Sequence, residues 1–318
     1  MSLEYQRVAV IGSGAVGCYY GGRLAEAGHD VTFLMRRDYD AVRERGLAVY
    51  SCDGDFHLKQ PRVVRRSEDI GAVDWVLCAL KATSLEDARD LIAPCVGAQT
   101  RLLLIMNGLG IEDVFAGWFG AHRVFGGLAF TCINRGEPGV VHHLRYGALN
   151  IAHFEDDIAE LQRAAALWAA AKVQVSTAPS LLQARWEKLC WNIPFNGMTI
   201  AAGGVPTNRI LAREDLAAET RALMEEVVTI GNAALARSGQ PGRIDGPGII
   251  DRMFRFTATM GDYHPSTLID FLEGKPLEVE AIFGEPLRHA RPLGVEAPRL
   301  ALLTALLRSL DARARTGW

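Results

Sequence analysis

Lys188, Asn192 and Asn196 are four residues apart within the otherwise apolar stretch Glu187–Asn196 (EKLCWNIPFN). Residues at this spacing lie on one face of a helix, so one ammonium group and two carboxamides would point the same way. Buried polar groups are costly unless they have partners. The stripe therefore either hydrogen-bonds within the protein or lines a cavity that binds something polar.

Lys188 has the chemistry of a proton donor in the second case. A protonated lysine can donate to a carbonyl oxygen that gains negative charge as hydride arrives. Pro194 removes one backbone donor and predicts a kink that exposes carbonyl groups near the stripe. The alternative is structural, with Glu187 or a helix terminus as the partner of Lys188.

A second polar segment, His264–Glu280, carries hydroxyl and carboxylate groups. Ser266 and Thr267 are predicted to cap a short helix. Glu278 and Glu280 favour the first turn of the next helix. These local roles leave open that a hydroxyl and a carboxylate of this segment face the same cavity.

A glycine-rich turn near the amino terminus joins a strand pattern to a helix pattern. The buried run Arg7–Ile11 precedes Gly12–Gly17 (GSGAVG), a helix is predicted to about Ala27, and Asp30–Met35 forms a second strand. This order predicts a βαβ unit and an α/β, Rossmann-type dinucleotide-binding domain.

The three glycines of this turn have separate predicted roles. Gly12 permits the tight turn, Gly14 lets the backbone approach a pyrophosphate, and Gly17 lets helix and strand pack closely. The helix amino terminus offers unpaired N–H groups to the anion. The predicted cofactor-binding residues of the turn are Gly12, Ser13, Gly14, Ala15, Val16 and Gly17.

The second strand ends in Met35–Asp38 (MRRD), where an NAD-preferring site would place a carboxylate. An arginine fork suits a 2'-phosphate instead, so the sequence favours NADP(H), with Arg36 or Arg37 as its partner. The alternative is that both arginines are solvated or that Asp38 pairs with one of them.

Two further strands end in polar residues. Lys81 follows the run Asp74–Leu80, and Asn107 follows Arg101–Met106. Ligands bind at the carboxyl edge of open parallel sheets, so both residues are candidates for contact with cofactor or substrate. The alternative for each is an ordinary surface position.

The second half of the chain changes character at residue 180. Strand patterns give way to amphipathic helices, which predicts a dinucleotide-binding domain at 1–179, a helical domain at 180–318 and a pocket at their interface. His142 and His143 lie on a predicted strand before this point. Adjacent strand residues face opposite sides, so they are predicted to be structural.

Composition narrows the class of protein. The 318 residues carry a net charge of -3, which gives no reason to expect nucleic acid or an anionic membrane as a partner. The six cysteines are scattered without metal-ligand spacing, which predicts free thiols, no metal and a reducing cytoplasm. No signal peptide or membrane-spanning run is expected.

These residues together resemble the ketopantoate reductase (2-dehydropantoate 2-reductase) family across nearly the whole chain. The matching features are Gly12–Gly17, Lys81, Asn107–Gly110, Lys188 with Asn192 and Asn196, and Ser266 with Glu278. The resemblance implies NADPH-dependent reduction of 2-dehydropantoate to (R)-pantoate, a step toward pantothenate and coenzyme A. It also implies a Rossmann domain joined to a helical domain like that of 6-phosphogluconate dehydrogenase.

The resemblance assigns a role to each matching residue. The residues that would hold NADPH are Gly12, Gly14, Gly17 and Arg36, with Lys81 near the ribose and Asn107 near nicotinamide and substrate. Lys188 would be the general acid, and Glu278 would hold and orient the substrate. The groups that would bind the substrate carboxylate and hydroxyls are Asn192, Asn196 and Ser266.

Departures from the family pattern keep alternatives open. The segment Gly197–Asn208 is longer and richer in glycine than usual, Asn208 is a candidate substrate contact only if an insertion is allowed, and Leu277 stands where threonine is common. A paralogous reductase of another small 2-oxo or hydroxy acid, or a non-catalytic dinucleotide sensor, would share the fold. Apolar positions on the last helices are compatible with a homodimer.

Overall fold

The computed structural model describes residues 5–240 and 242–316 and divides them into two compact units. The first contains the described residues up to Met106 together with Ile111–Leu181, and the second contains Asn107–Gly110 together with the described residues from Leu182 onward. The α/β, Rossmann-like unit and the helical unit confirm the predicted fold class. The domain boundaries at 179 and 180 stay a prediction.

A ten-stranded mixed sheet forms the centre of the first unit. Its strands are β1 (Arg7–Ile11), β2 (Asp30–Leu34), β3 (Leu47–Ser51), β4 (Phe56–Leu58), β5 (Arg62–Val64), β6 (Val73–Cys78), β7 (Val96–Leu104), β8 (Val124–Arg135), β9 (Val140–His153) and β10 (Val175–Thr177). The order is β4-β3-β9-β8-β7-β6-β1-β2-β5, with β10 beside β9. Strand β1 pairs in parallel with β2 and β6, whereas β8 and β9 are antiparallel. The chain passes from β1 to β2 on one side and later returns to β6 on the other side of β1, so the strand order reverses at the carboxyl end of β1.

Helices pack on this sheet over a continuous apolar core. They are α1 (Ala15–Glu26), α2 (Tyr39–Arg45), α3 (Leu85–Ile92), α4 (Ile111–Phe119) and α5 (Ile158–Leu167). Val10, Phe33 and Leu77 face α1 from three adjacent strands, and Tyr20 and Leu24 meet them from the helix. Burial of such side chains contributes about 1.5–3 kcal/mol each and fixes α1 at the carboxyl end of β1.

The second unit is helical throughout the part that the structure describes. Its helices are α6 (Leu181–Ala201), α7 (Thr207–Leu211), α8 (Glu214–Ser238), α9 (Gly246–Ala258), α10 (Ser266–Leu272), α11 (Glu285–Ala290) and α12 (Pro298–Thr316). A π-helical turn, Glu280–Gly284, precedes α11. Among the described residues, no helix has the length and apolarity required to cross a bilayer.

Helix α6 continues through Pro194 as one helix of 21 residues. Proline removes the backbone hydrogen bond to the carbonyl of Cys190, but the apolar residues on both sides are buried and hold the helix together. Soon after the helix ends at Ala201, the chain turns at Gly203 and Gly204, which have φ of 100° and 80°. Such angles are cheap only for glycine.

Candidate functional site

A cavity of about 300 Å³ opens at the carboxyl ends of β1, β2 and β6. Its walls come from the turns after these strands, and its lining residues include Gly12, Ser13, Gly14, Met35, Arg36, Arg37, Asp38, Arg65, Ala79, Lys81, Ser84 and Arg135. This is the edge at which open parallel sheets bind ligands. Five predicted cofactor residues line it, namely Gly12, Ser13, Gly14, Arg36 and Lys81.

The three glycines of the turn differ in what surrounds them. Gly12 has a φ of 93°, and a Cβ there would meet the backbone of Leu80 at 2.5 Å. A Cβ on Gly17 would lie 2.3 Å from the carbonyl oxygen of Gly12, whereas a Cβ on Gly14 would meet nothing within 4 Å. Only Gly14 therefore leaves open space, which the backbone of the turn could offer to a ligand.

The amino terminus of α1 faces the same turn without a side-chain cap. Gly14 is the N-cap residue, and the first turn of the helix has no acidic side chain. The first N–H groups of the helix and its positive dipole end thus suit an anion. Ala15, Val16 and Gly17 belong to the start of this helix rather than to the cavity lining.

Basic side chains surround the end of β2. Arg36 and Arg37 are exposed there, and Asp38 pairs with Arg135, whose Nη2 lies 2.5 Å from Asp38 Oδ2. Asp38 thus pairs with Arg135 and not, as the alternative interpretation of the sequence proposes, with Arg36 or Arg37. Arg65 also lines the cavity, and its guanidinium lies 4.3 Å from the ring centre of Tyr39.

Arg65 and Arg135 were not among the residues predicted for this site. Arg65 directly follows β5, a strand of three residues that pairs in parallel with β2. Its position after the run Arg62–Val64 was the available signal. Arg135 ends β8, which extends seven residues beyond the predicted Val124–Leu128, from Ala129 to Arg135. The cavity therefore has more cationic groups than the MRRD segment alone supplies.

The predicted catalytic and substrate-binding residues all belong to the second unit. They are Lys188, Asn192, Asn196, Asn107, Ser266 and Glu278. Lys188 is half-buried on α6, and Asn192 and Asn196 on the same face are only 6% and 2% exposed. The unbroken helix keeps the three side chains within an arc of about 80°. We call Lys188, Asn192 and Asn196 the polar face of α6.

Three buried side-chain oxygens of the second unit have no hydrogen-bond partner among residues 5–240 and 242–316. They are Asn196 Oδ1, Asn208 Oδ1 and Thr267 Oγ1. Buried polar atoms in folded proteins nearly always have a partner, so such oxygens mark places where a polar ligand or water binds. Thr267 was predicted only as a helix cap, and no sequence signal distinguished it from Ser266.

Segment 264–280 differs from the predicted capping pattern. Helix α10 begins at Ser266 with Pro265 as its N-cap residue and has no side-chain cap, so neither Ser266 nor Thr267 fulfils that role. Ser266 is exposed, whereas Glu278 is buried. A buried carboxylate costs free energy unless it is paired or hydrogen-bonded. Buried ionisable groups such as Glu278 are therefore often found at functional sites.

Asn107 is fixed by the three residues that follow it. Leu109 N donates to the carbonyl oxygen of Ala281 at 2.9 Å. Gly108 has a φ of 112°, and a Cβ there would lie 2.6 Å from Cβ of Ala281. The segment Asn107–Gly110 is thus held against the π-helical turn, which begins two residues after Glu278.

Gly197, a departure from the family pattern, has a packing explanation. A Cβ at this position would lie 2.5 Å from Leu303 Cδ2 and 2.9 Å from Phe283 Cε1. Glycine therefore lets α6 approach α12 and the π-helical turn closely. The glycine at position 197 is therefore explained by packing within the core of the second unit.

Comparisons with known proteins agree over both units. The family Ketopantoate reductase PanE/ApbA matches residues 8–156, and Ketopantoate reductase PanE/ApbA C terminal matches residues 180–311. The chain is 35% identical to a 2-dehydropantoate 2-reductase of Nostoc sp., covering 99% of this chain and 98% of that protein.

Solved structures give the same result. The crystal structure of 2-dehydropantoate 2-reductase from Geobacter metallireducens GS-15 is 43% identical, with a TM-score of 0.91 over 95% of this chain and 99% of that one. A D-mandelate dehydrogenase structure with NADH and anilino(oxo)acetate is 20% identical, with a TM-score of 0.86 over 97% of this chain and 99% of that one, and so shows the fold alone. The chain therefore belongs to the ketopantoate reductase PanE/ApbA family.

Proposed function

We propose that this protein catalyses the NADPH-dependent reduction of 2-dehydropantoate to (R)-pantoate. The observation that carries the proposal is the polar face of α6, where a half-buried lysine stands beside two buried asparagines, one with an unpartnered oxygen. Relatives at 35% and 43% identity that are named for this activity support it. Lys188 would donate its proton to the ketone oxygen as negative charge develops there.

The other residues of the second unit would hold the substrate. Asn192 and Asn196 would donate hydrogen bonds to the carboxylate and accept from a hydroxyl, since each carboxamide has both functions. Ser266 would contribute a further hydroxyl, and Glu278 would accept a hydrogen bond that orients the substrate. Asn107, fixed against Ala281, would bind at the reacting end.

The first unit fits NADP(H). The open space at Gly14, the uncapped start of α1 and the cationic end of β2 match a pyrophosphate and a 2'-phosphate. Arg36 would bind the 2'-phosphate, Lys81 would reach the ribose, and Ser13, Ala15 and Val16 would contribute backbone N–H groups. When bound, NADPH supplies the hydride for the reduction.

The direct test is NADPH oxidation by purified protein with 2-dehydropantoate and a panel of branched and unbranched 2-oxo acids. The proposal expects 2-dehydropantoate to give the highest kcat/KM, with NADPH strongly preferred over NADH. A higher value for another 2-oxo acid would assign the protein to a paralogous reductase. Cofactor binding without turnover of any member of the panel would favour the dinucleotide sensor.

Cofactor preference is tested at Arg36 and Arg37. Loss of a charge-assisted contact with the 2'-phosphate costs about 1.5–3 kcal/mol, so Arg36→Ala should lower the NADPH-to-NADH preference about 10- to 100-fold. Arg37→Ala identifies which arginine acts, and Arg43→Ala, on α2, is the control. An unchanged preference in both variants would reject the arginine assignment.

A homodimer in the cytoplasm is the proposed state of the protein. Leu302 and Leu306, one helical turn apart on α12, are both exposed, as expected of an apolar contact between two copies. The six cysteines are free, which fits a reducing compartment. Light scattering during size-exclusion chromatography tests the dimer, and Leu302→Lys should give the monomer mass.

A further inference from the structure

A cluster of side chains with the chemistry of metal ligands lies in the first unit, and none of its members lines the cofactor cavity. Cys52 and Asp53 directly follow β3, and His143 lies on β9, which pairs with β3 in parallel. Cys52 Sγ is 3.8 Å from His143 Nδ1, and Asp53 Oδ2 is 3.9 Å from the same nitrogen. Cys52 Sγ and Asp53 Oδ1 are also 3.8 Å apart. These two contacts use different oxygens of Asp53; with one carboxylate oxygen, the sulfur, nitrogen and oxygen atoms all lie within 4.8 Å of one another.

The size of this cluster fits a tetrahedral cation. Bonds of about 2.3 Å to sulfur and about 2.0–2.1 Å to nitrogen or oxygen place two tetrahedral ligands about 3.3–3.6 Å apart. The Cys52–His143 separation of 3.8 Å exceeds this range by a few tenths of an ångström, and the three ligand atoms together span up to 4.8 Å. Cys52 and Asp53 are exposed, so small side-chain rotations can close the difference and leave room for water as a further ligand.

The imidazole of His143 is oriented as a metal ligand requires. Its Nε2 lies 2.9 Å from the carbonyl oxygen of Tyr146, so this nitrogen carries the proton and the lone pair of Nδ1 lies on the side of Ser51, Cys52 and Asp53. Histidine ligands commonly donate their second N–H to a carbonyl in this way. Tyr146 holds that carbonyl with a φ of 67°, which is uncommon for a residue other than glycine. Burial lowers the pKa of His143, which favours the neutral ring.

The turn that carries Cys52 and Asp53 is held in place. Cys52 N donates to the carbonyl oxygen of His143 at 3.1 Å. The buried Arg23 donates to Ser51 Oγ at 2.9 Å and to the carbonyl oxygen of Gly54 at 2.8 Å. Ser51 Oγ also lies 2.8 Å from His143 Nδ1, and its hydroxyl must rotate away when a cation binds there.

We propose that Cys52, Asp53 and His143 bind a divalent cation of the zinc class, with water completing the coordination. A thiolate and an imidazole favour Zn²⁺ or Co²⁺ over Mg²⁺ and Ca²⁺, which prefer oxygen ligands. On binding, Cys52 releases its thiol proton to solvent, and the thiolate and the Asp53 carboxylate balance the two positive charges. The site does not depend on the proposed reductase activity.

The test is a Co²⁺ titration of the full-length, tag-free, reduced protein after treatment with a chelator. The expected result is one Co²⁺ per chain and a near-ultraviolet thiolate-to-cobalt absorption band that Zn²⁺ displaces. Cys52→Ser should abolish the band, and Asp53→Asn should weaken binding at least about tenfold. Both residues are exposed, so the variants should fold like the parent protein.

His142→Gln is the matched control, because His142 is adjacent in sequence but stacks on Tyr50 instead. This variant should keep the band and its affinity. Zn²⁺ should raise the Tm of the parent protein but not of Cys52→Ser, and Mg²⁺ should raise neither. A missing band in the parent protein, a band that persists in Cys52→Ser, or an equal response to Mg²⁺ would overturn the proposal.

Discussion

The cavity at the carboxyl ends of β1, β2 and β6 and the polar face of α6 present polar groups in different ways. The glycine turn of the cavity offers backbone groups, with a left-handed glycine, an open glycine and an uncapped helix terminus, and basic side chains lie around it. The polar face is built from side chains, with Lys188, Asn192 and Asn196 set among buried apolar residues. Where backbone groups bind a ligand, the identity of nearby side chains matters little, but an added Cβ atom on a glycine can block the contact. Where side chains bind it, the loss of any one functional group matters.

The glycine turn and the polar face of α6 also differ in which polar groups lack a hydrogen-bond partner within the protein. Helix and sheet bonding satisfies the backbone of the glycine turn apart from the few N–H groups at the start of α1. Among the described residues, buried side-chain oxygens without a partner occur in both units: that of Asp38 lies at the cavity, and those of Asn196, Asn208 and Thr267 lie in the second unit. Such atoms cost about 1–3 kcal/mol each until a ligand or water binds them. Substitutions in the second unit should therefore change catalysis, while those in the turn should change cofactor affinity or folding.

The largest expected effect is that of Lys188→Ala. Loss of the general acid should lower kcat about 10²- to 10⁴-fold, while the Kd for NADPH changes less than about twofold. Initial rates and a fluorescence titration with NADPH measure the two quantities. Lys172→Ala is the control, since Lys172 pairs with Glu26 in the first unit. Undiminished turnover in Lys188→Ala would reject the proposed role.

Gly14→Ala and Gly17→Ala form a matched pair within the turn. The Cβ at Gly14 meets nothing within 4 Å, so this variant should keep its Tm but bind NADPH about tenfold more weakly. The Cβ at Gly17 would lie 2.3 Å from the Gly12 carbonyl, so Gly17→Ala should lose about 1–3 kcal/mol of unfolding free energy. Denaturant unfolding and NADPH titration separate the two. Equal stability loss in both variants would contradict the distinction.

Asn196→Leu tests the unpartnered oxygen directly. An apolar side chain of similar size removes the cost of the buried carboxamide, so the Tm should not fall, while KM for the 2-oxo acid should rise about five- to tenfold. Thr199→Val is the control, because Thr199 Oγ1 already donates to the carbonyl oxygen of Phe195 at 2.8 Å. Its KM should not change. If Asn196→Leu left KM unchanged and lowered the Tm, the asparagine would be structural.

The smallest effect concerns Glu280, which begins the π-helical turn. Hydrogen bonds from Arg308, and then from Arg288, lower the pKa of Glu280 to about 2. A lowered folded-state pKa adds stability above the unfolded value of about 4.3 and loses it as pH falls toward 2. Glu280 is exposed, so Glu280→Gln should lower the Tm by only about 2 °C at pH 7.

The pH dependence of the Glu280→Gln effect is the informative measurement. The Tm difference from the parent protein should shrink between about pH 4 and pH 2. Glu44→Gln, at an exposed pair with Arg45 of 3.4 Å, should change the Tm less at every pH. If the Tm difference between the parent protein and Glu280→Gln grew as the pH fell, the ion-pair explanation would be rejected.

Features set by neighbouring residues could be predicted from the sequence. Gly12, Gly14 and Gly17 act within one turn, and the spacing of four along α6 needs only a helix, so both patterns were visible. The continuation of α6 past Pro194 depends instead on tertiary burial, since apolar residues on both sides of the proline are buried.

Features that depend on strand pairing were missed. Arg65 and Arg135 reach the cavity through β5 and the long β8, and neither strand end follows from local propensity. Cys52 and His143 are 91 positions apart in the chain, and only the pairing of β3 with β9 brings them together. Ligand spacing in sequence detects only local sites, so the scattered cysteines give no sequence signal for this cluster.

The hydrogen bond from Leu109 to Ala281 has a consequence for synthesis on the ribosome. At about 5–20 residues per second, Leu109 emerges roughly 10–35 s before its acceptor has been made. The segment Asn107–Gly110 lies between β7 and α4 in the chain, yet it belongs to the second unit. The nascent first unit must therefore wait with this loop unpaired until the far end of the chain arrives.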